Sequence, residues 1–299
     1  MMRLFVFLTT LVLCQAFNAE GDKRPPSDYV DYVVLGKSIN HRQSVNGDLK
    51  LLNTVFFAEI FPIDLTSGQT TVTNGVLTGP GDAENGLSFS KERIPFLAGQ
   101  REMTIEKLTK RYPDSTYNFS FDTPSGPIKE FPVSFTGGAK HKNNPGPIKI
   151  NLHQDGRAVD INAIDPNQDL KVTWSSFDKG SRDPNGIIDD MIYVILGNCM
   201  GDEIAHSGHA ISDLHALTFD KTEFVIGSTI LSSGEVYQLE VEHSNMETDI
   251  GRNIEIIVTY AATSFLDFKT EGYSDKNMEC PAKPYAMDGG QTDRDRRLD

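Results

Sequence analysis

Cysteine is scarce in this chain of 299 residues, with three, at positions 14, 199 and 280. A disulfide-dense scaffold is thereby excluded, and a packed core must supply the stability. Basic residues are in deficit, 28 Lys and Arg against 42 Asp and Glu, for a formal net charge of −14. An acidic surface argues against nucleic acid and anionic lipid as partners, because both need clustered Lys and Arg. It is compatible with divalent cations or basic partners. Beyond the N-terminal segment no apolar run approaches the ~20 residues of a membrane span. The ending DGGQTDRDRRLD is polar throughout, so neither membrane insertion nor a tail anchor is expected. HExxH, CxxC, G-x-S-x-G, GxGxxG and a P-loop lysine are all missing, which removes the common signatures of metal, nucleophilic and phosphate chemistry. No required cofactor and no enzymatic activity are expected.

What is present begins with MMRLFVFLTTLVLCQAFNAEG. Arg3, the apolar run Leu4–Leu13 and small residues at Cys14 and Ala16 form the pattern of a secretory signal over residues 1–16. Its removal takes one Arg and no acid, so the charge would move from −14 to −15. The expected product is secreted and extracellular. In an oxidising compartment Cys199 and Cys280 could pair; against that stands a Cys199 that ends a core strand and a Cys280 in a loose tail.

Alternation with period two dominates the rest, as strands with one buried face require. Tyr117, Phe119 and Phe121 share a side, as do Phe131, Val133 and Phe135, and Ile148, Ile150 and Leu152. Leu170, Val172 and Trp174 repeat the pattern, followed by Tyr237, Leu239 and Val241, then Ile254, Ile256, Val258 and Tyr260. Helical spacing is confined to GQREMTIEKLTKRYP, where Ile105, Leu108 and Tyr112 form one stripe and Pro113 ends it. The expectation is an all-β protein of two consecutive β-sandwich domains, 27–142 and 147–268, with one short helix in the first. The breaker-rich GGAKHKNNPGP (137–147) marks the boundary, and 270–299 should be a disordered tail.

The second unit resembles fibronectin type III and related immunoglobulin-like sandwiches. The likeness rests on Trp174 in a strand, on Ile192, Tyr193 and Val194 in the next, and on the turn Leu231, Gly234, Tyr237. It implies a buried Trp and a Tyr whose hydroxyl satisfies nearby backbone. Ser233 stands where a proline is frequent, and the loop between 197 and 223 is long. The whole arrangement also resembles uncharacterised secreted bacterial β-sandwich proteins, which implies export and architecture but no reaction.

Three constellations invite chemistry. In SRDPNGIIDDMI the calcium-loop positions fall on Ser181, Asp183, Asn185, the Ile187 carbonyl, Asp189 and Ile192. Ile192 replaces the bidentate Glu and the flanks are strands, which argues against a calcium hand. An irregular calcium site from Asp178, Asp183, Asn185, Asp189 and Asp190 is set against a type I turn at Asp-Pro-Asn-Gly, and the turn is preferred. His206, His209 and His215 supply imidazoles that suit zinc or copper, although their spacing matches no familiar signature. Asn118-Phe-Ser120 is the one N-glycosylation sequon, on the outer face of its expected strand.

The function these features favour is a secreted, non-catalytic protein of surface, matrix or adhesive interactions, with an extracellular protein or polysaccharide as partner. The alternatives are an extracellular metal-dependent enzyme using the 199–215 loop, and a calcium-stabilised structural module. Ligand identity and self-association are left open at this point.

Overall fold

A computed structural model describes residues 25–64, 71–135, 143–199, 202–208, 213 and 216–274. The expected signal sequence and residues 275–299 of the expected tail lie outside them. The described residues are mostly β, with one short α-helix among them. The first strands are β1 (Val30–Gln43), β2 (Leu49–Pro62), β3 (Thr73–Thr78), β4 (Leu87–Ser88) and β5 (Phe96–Ala98). Helix α1 (Ile105–Arg111) precedes β6 (Thr116–Thr123), β7 (Gly126–Ser134), β8 (Ile150–Gln154), β9 (Arg157–Ala158) and β10 (Leu170–Trp174). The chain then forms β11 (Met191–Asn198), β12 (Glu203–His206), β13 (Leu217–Thr218), β14 (Glu223–Ile226), β15 (Val236–Gly251) and β16 (Ile254–Lys269).

These strands build three sheets. The largest runs β12-β11-β15-β16-β1-β2-β5, with β13 paired to β11; the two smaller ones run β4-β3-β6-β7 and β14-β10-β8-β9. Each small sheet keeps to one side of the expected 137–147 boundary. The large sheet does not, since β1, β2 and β5 lie before it and β11 to β16 after it. The expectation of two consecutive sandwiches is therefore corrected: both small sheets face strands of one shared sheet. The physical reason is strand length. Strands of 16 residues extend roughly 50 Å at about 3.3 Å per residue, long enough to pass under both.

Alternation along β16 shows how one strand serves two cores. Ile254, Ile256, Val258 and Tyr260 join a core with Phe56, Tyr117, Phe119 and Phe131. On the same face, Leu266 and Phe268 join a second core with Ile150, Val172, Trp174 and Tyr237. The first core is an aromatic stack in which Phe56 lies 4.4 Å from Tyr112 and Phe135 lies 5.4 Å from Tyr260, ring centre to ring centre. The β15–β16 turn places Arg252 and Asn253 at φ 50° and 62°, as a two-residue hairpin matching strand twist requires. Arg252 is held there by a bond from Nη1 to the Lys129 carbonyl, 2.9 Å, across to the small sheet.

Between the two cores runs a polar seam. Lys37 is fully buried and meets Asp114 at 2.5 Å; burial lowers its pKa, while Asp114 opposes that effect. The segment after residue 142 crosses the seam. Asn144 Nδ2 donates to the carbonyls of Lys37 and Ala261, and Asn245 Nδ2 donates to that of Asn143. Gln43, near the end of β1, treats Ile150 of β8 as a strand partner: its Nε2 donates to the Ile150 carbonyl at 2.7 Å, and its Oε1 accepts from the Ile150 N–H at 2.8 Å. His243 is 3% exposed and stacks on Phe177 at 4.6 Å, and burial lowers its pKa to about 4.

Because β16 belongs to both cores and is paired along its length to β1, which serves the first, and β15, which serves the second, calorimetry should show one cooperative unfolding transition; two separated transitions would contradict the shared sheet. Gln43→Leu strands two buried backbone groups and should lower stability by about 2–4 kcal/mol while keeping a single transition. The neutral native His243 resists a proton that the unfolded chain accepts near pH 6.5, so stability is full above that pH. It should fall as the pH drops toward 4, by about 3 kcal/mol in all. His243→Leu should flatten that slope in pH-dependent denaturant melts.

Candidate functional site

The outer face of the large sheet, opposite the two cores, changes character along its length. At one end Tyr32, Val34, Val55, Phe57, Phe61, Met191, Met246 and Ile257 form a third apolar cluster. Gly36 makes this packing possible, since a Cβ there would stand 2.3 Å from the Phe57 ring. Tyr32 and Phe61 stack at 4.3 Å, and Phe57 lies 6.4 Å from Phe96 of β5.

Farther along the same face lies a chain of hydrogen bonds across four strands. Asn40 Nδ2 donates to Asn53 Oδ1 at 3.0 Å, and Ser38 Oγ lies 3.0 Å from Asn40 Oδ1. Ser38 Oγ is 2.9 Å from Thr263 Oγ1, which reaches Glu242 Oε2 at 2.8 Å. Ser244 Oγ donates to the other Glu242 oxygen at 2.6 Å. Glu242 is 4% exposed, and this network fixes its orientation.

Where the apolar and polar zones meet is a groove of about 200 Å³. Its floor includes Phe57, Met246, Glu240 and Glu242. One wall is Ile94 and Phe96 beside β2, the other Tyr193, Glu203 and His206 at the β11–β12 edge. Five glutamates line it (Glu59, Glu92, Glu203, Glu240 and Glu242), and no Lys or Arg does among the described residues. In VYQLEVEHS the alternation aligns Tyr237, Leu239 and Val241 as the core side. The opposite positions, Glu240, Glu242 and Ser244, are also buried, and acids alternating with core residues were the available signal.

Apart from His206, the sequence-derived candidates among the described residues fall elsewhere. Asp183 caps a turn, with its own carbonyl accepting from the Gly186 N–H at 3.2 Å. Its carboxylate accepts from the N–H groups of Asn185, Ile187 and Ile188 and from Thr248 Oγ1. Burial would raise the Asp183 pKa, but the Thr248 bond and the backbone donors outweigh it and hold the group below its ordinary value. Asp189 accepts from the Asp183 N–H; Asp190 accepts from Ser181 and from the Met246 N–H. Asn185 Nδ2 donates to the Thr248 carbonyl, and Asp178 is exposed. The loop is a turn held by its own carboxylates. Among the described residues no three His, Cys, Asp or Glu side chains gather to hold a metal.

His206 is at the groove wall, where its Nδ1 accepts from the Gly208 N–H at 2.9 Å and its ring lies 5.9 Å from Tyr193. His209 and His215 lie outside the described residues. Cys199 is buried at the end of β11 and disulfide-bonded; Cys280 lies outside the described residues. Asn118 is half-buried on the outer face of β6. No described helix is long and apolar enough to cross a membrane.

No family model and no curated protein matches the chain. Among solved structures it is similar to the chicken CNTN1 FN1-FN3 domains, at 11% identity and a TM-score of 0.20, over 77% of this chain and 66% of that one. The match thus spans just under two thirds of that chain's length. A likeness at that score carries no argument, so the all-β assignment rests on the sheets themselves.

With the carboxylates of the 183–190 loop already engaged, a chelator should leave the melting temperature unchanged. Asp183→Asn should cost about 2 kcal/mol near neutral pH. A lowered native pKa stabilises above the ordinary Asp range near ~3.9 and is lost as pH falls through the native value. The gap between the two proteins should accordingly close below about pH 4 in acid denaturation.

Proposed function

We propose that this is a secreted, non-catalytic binding protein whose contact surface is the groove on the outer face of the shared sheet. The groove carries the reading: aromatic walls, oriented carboxylates and a concave floor on a rigid sheet are what a binding site needs. The order β8-β10-β14 facing β12-β11-β15-β16 corresponds to strands A, B and E against C′, C, F and G of immunoglobulin-type sandwiches. Two details support a fibronectin-III-like relation for this half. Trp174 is buried with Nε1 donating to the Lys221 carbonyl, and the Tyr237 hydroxyl accepts from the Ser232 N–H at 2.7 Å. Folds of this kind carry many functions, so the argument for binding comes from the groove and not from the fold. The partner class that follows from an exported, acidic sandwich is an extracellular protein or polysaccharide.

The test is binding of the purified protein to a panel of extracellular-matrix proteins and polysaccharides, with groove-wall variants Ile94→Asp and Phe96→Ser beside it. Both positions are half-buried at the rim, so the variants should keep the fold, as circular dichroism can verify. At least one panel member should bind, and each variant should weaken it about tenfold or more, equivalent to about 1.4 kcal/mol. Binding that ignores both variants, or no binding across the panel, would overturn the reading.

A further inference from the structure

We propose that the groove is an anchor pocket for a single arginine side chain presented by a partner polypeptide; this rests on the binding reading above and specifies its ligand. Volume comes first. About 200 Å³ is below the roughly 300–1,000 Å³ of pockets that enclose a whole small-molecule ligand. It matches one long side chain entering from a partner surface, the geometry of an interface hot spot.

Charge selects the sign. Five glutamates and no Lys or Arg line the groove among the described residues, and Glu240 and Glu242 are 5% and 4% exposed. Successive outward positions on β15 put these two acids roughly 7 Å apart along the strand, at about 3.3 Å per residue. Ser244 and Thr263 hold the Glu242 carboxylate at 2.6 and 2.8 Å, so it is positioned before any ligand arrives.

Two further features favour guanidinium over ammonium. The floor and wall offer aromatic faces in the Tyr32–Phe61 and Phe57–Phe96 pairs, on which a planar, weakly hydrated cation stacks. Thr259 also lines the groove; it is 3% exposed, and its hydroxyl has no hydrogen-bond partner among the described residues. A buried hydroxyl without a partner is costly. An arginine presents five donors in a fixed fork, enough to reach carboxylate and hydroxyl together, whereas a lysine has three donors on one nitrogen.

The experiment titrates the full mature protein with acetyl-Gly-Arg-Gly-amide, using lysine and citrulline counterparts as controls, and follows backbone amide resonances. The arginine peptide should shift resonances around Phe57–Phe61 and Glu240–Met246, and should bind about tenfold tighter than the citrulline peptide, which keeps the shape but not the charge. Glu240→Gln should weaken arginine binding about tenfold, and the rim change Glu92→Gln by no more than about twofold. Equal binding of arginine and citrulline peptides at these resonances would overturn the arginine inference and leave the groove standing as a binding surface. Absence of groove shifts with arginine peptide up to about 10 mM, the weak range expected for a lone side chain, would also overturn it. The panel with Ile94→Asp and Phe96→Ser would then decide the binding reading by itself.

Discussion

The parallel ladder between β1 and β16 is the contact on which the other elements depend. It pairs Tyr32 with Glu255 at one end and Gln43 with Leu266 at the other, joining strands more than 200 residues apart in the chain. A parallel pair cannot be closed by a hairpin and needs a crossover; here the crossover runs from residue 44 to residue 253, most of the chain. Break it and β1–β2 separates from β15–β16. Val33 and Leu35 then lose Ile256 and Val258 beneath the first small sheet, and Gln43 loses its position beside Ile150. Loop-closure entropy for such a pairing must be met before its contacts exist. The local β6–β7 and β15–β16 hairpins are therefore the elements free to form early, with the ladder closing late.

Sharing one sheet, with β16 in both cores, solves one problem and creates another. Two small sheets can each bury a face without duplicating the large one, but the strip between them cannot be filled by either core. The chain fills it with polar groups whose partners come from distant segments. Asp114 comes to Lys37, Ser264 accepts from the Ile148 N–H, and Asn143–Asn144 reaches both β1 and β15. Small residues at Ala262 and Ser264 leave room for that crossing between the bulky halves of β16. Buried polar seams are satisfied or they are costly, and here most of the groups find partners.

Those same features set the limits of what the sequence could reveal. Tyr117, Phe119 and Phe121, or Leu170, Val172 and Trp174, read as strands because one face is buried and the other faces water. The Ile105–Leu108–Tyr112 stripe located the helix for the equivalent reason. In VDYVVLGKSINHRQ both faces carry buried side chains, Tyr32 and Val34 on one and Val33 and Leu35 on the other, and no period of two survives. Lys37 and Arg42 look like surface charges until Asp114 and Asp267 are brought to them. The breaker cluster at 137–147 falls between the strands of the two small sheets, while the large sheet takes strands from both sides of it. That β1 would pair with β16, more than 200 residues on, has no local signature.

The groove follows from the same architecture. A seven-strand path is wide and twisted, and its flanking short strands β5 and β12 rise beside β2 and β11 as walls. The floor between them inherits the mixed character of the outer face, where aromatics from β1 and β2 meet carboxylates from β15. Placing Glu240 and Glu242 on the longest hairpin, cross-braced to β16 by Thr263, makes the acids part of the most extensively paired element of the protein. Acids placed for solubility alone would gain nothing from burial or from such bracing, and their desolvation would only weaken the fold. Their position is intelligible as preorganised charge, held by the same ladder that holds the two cores together.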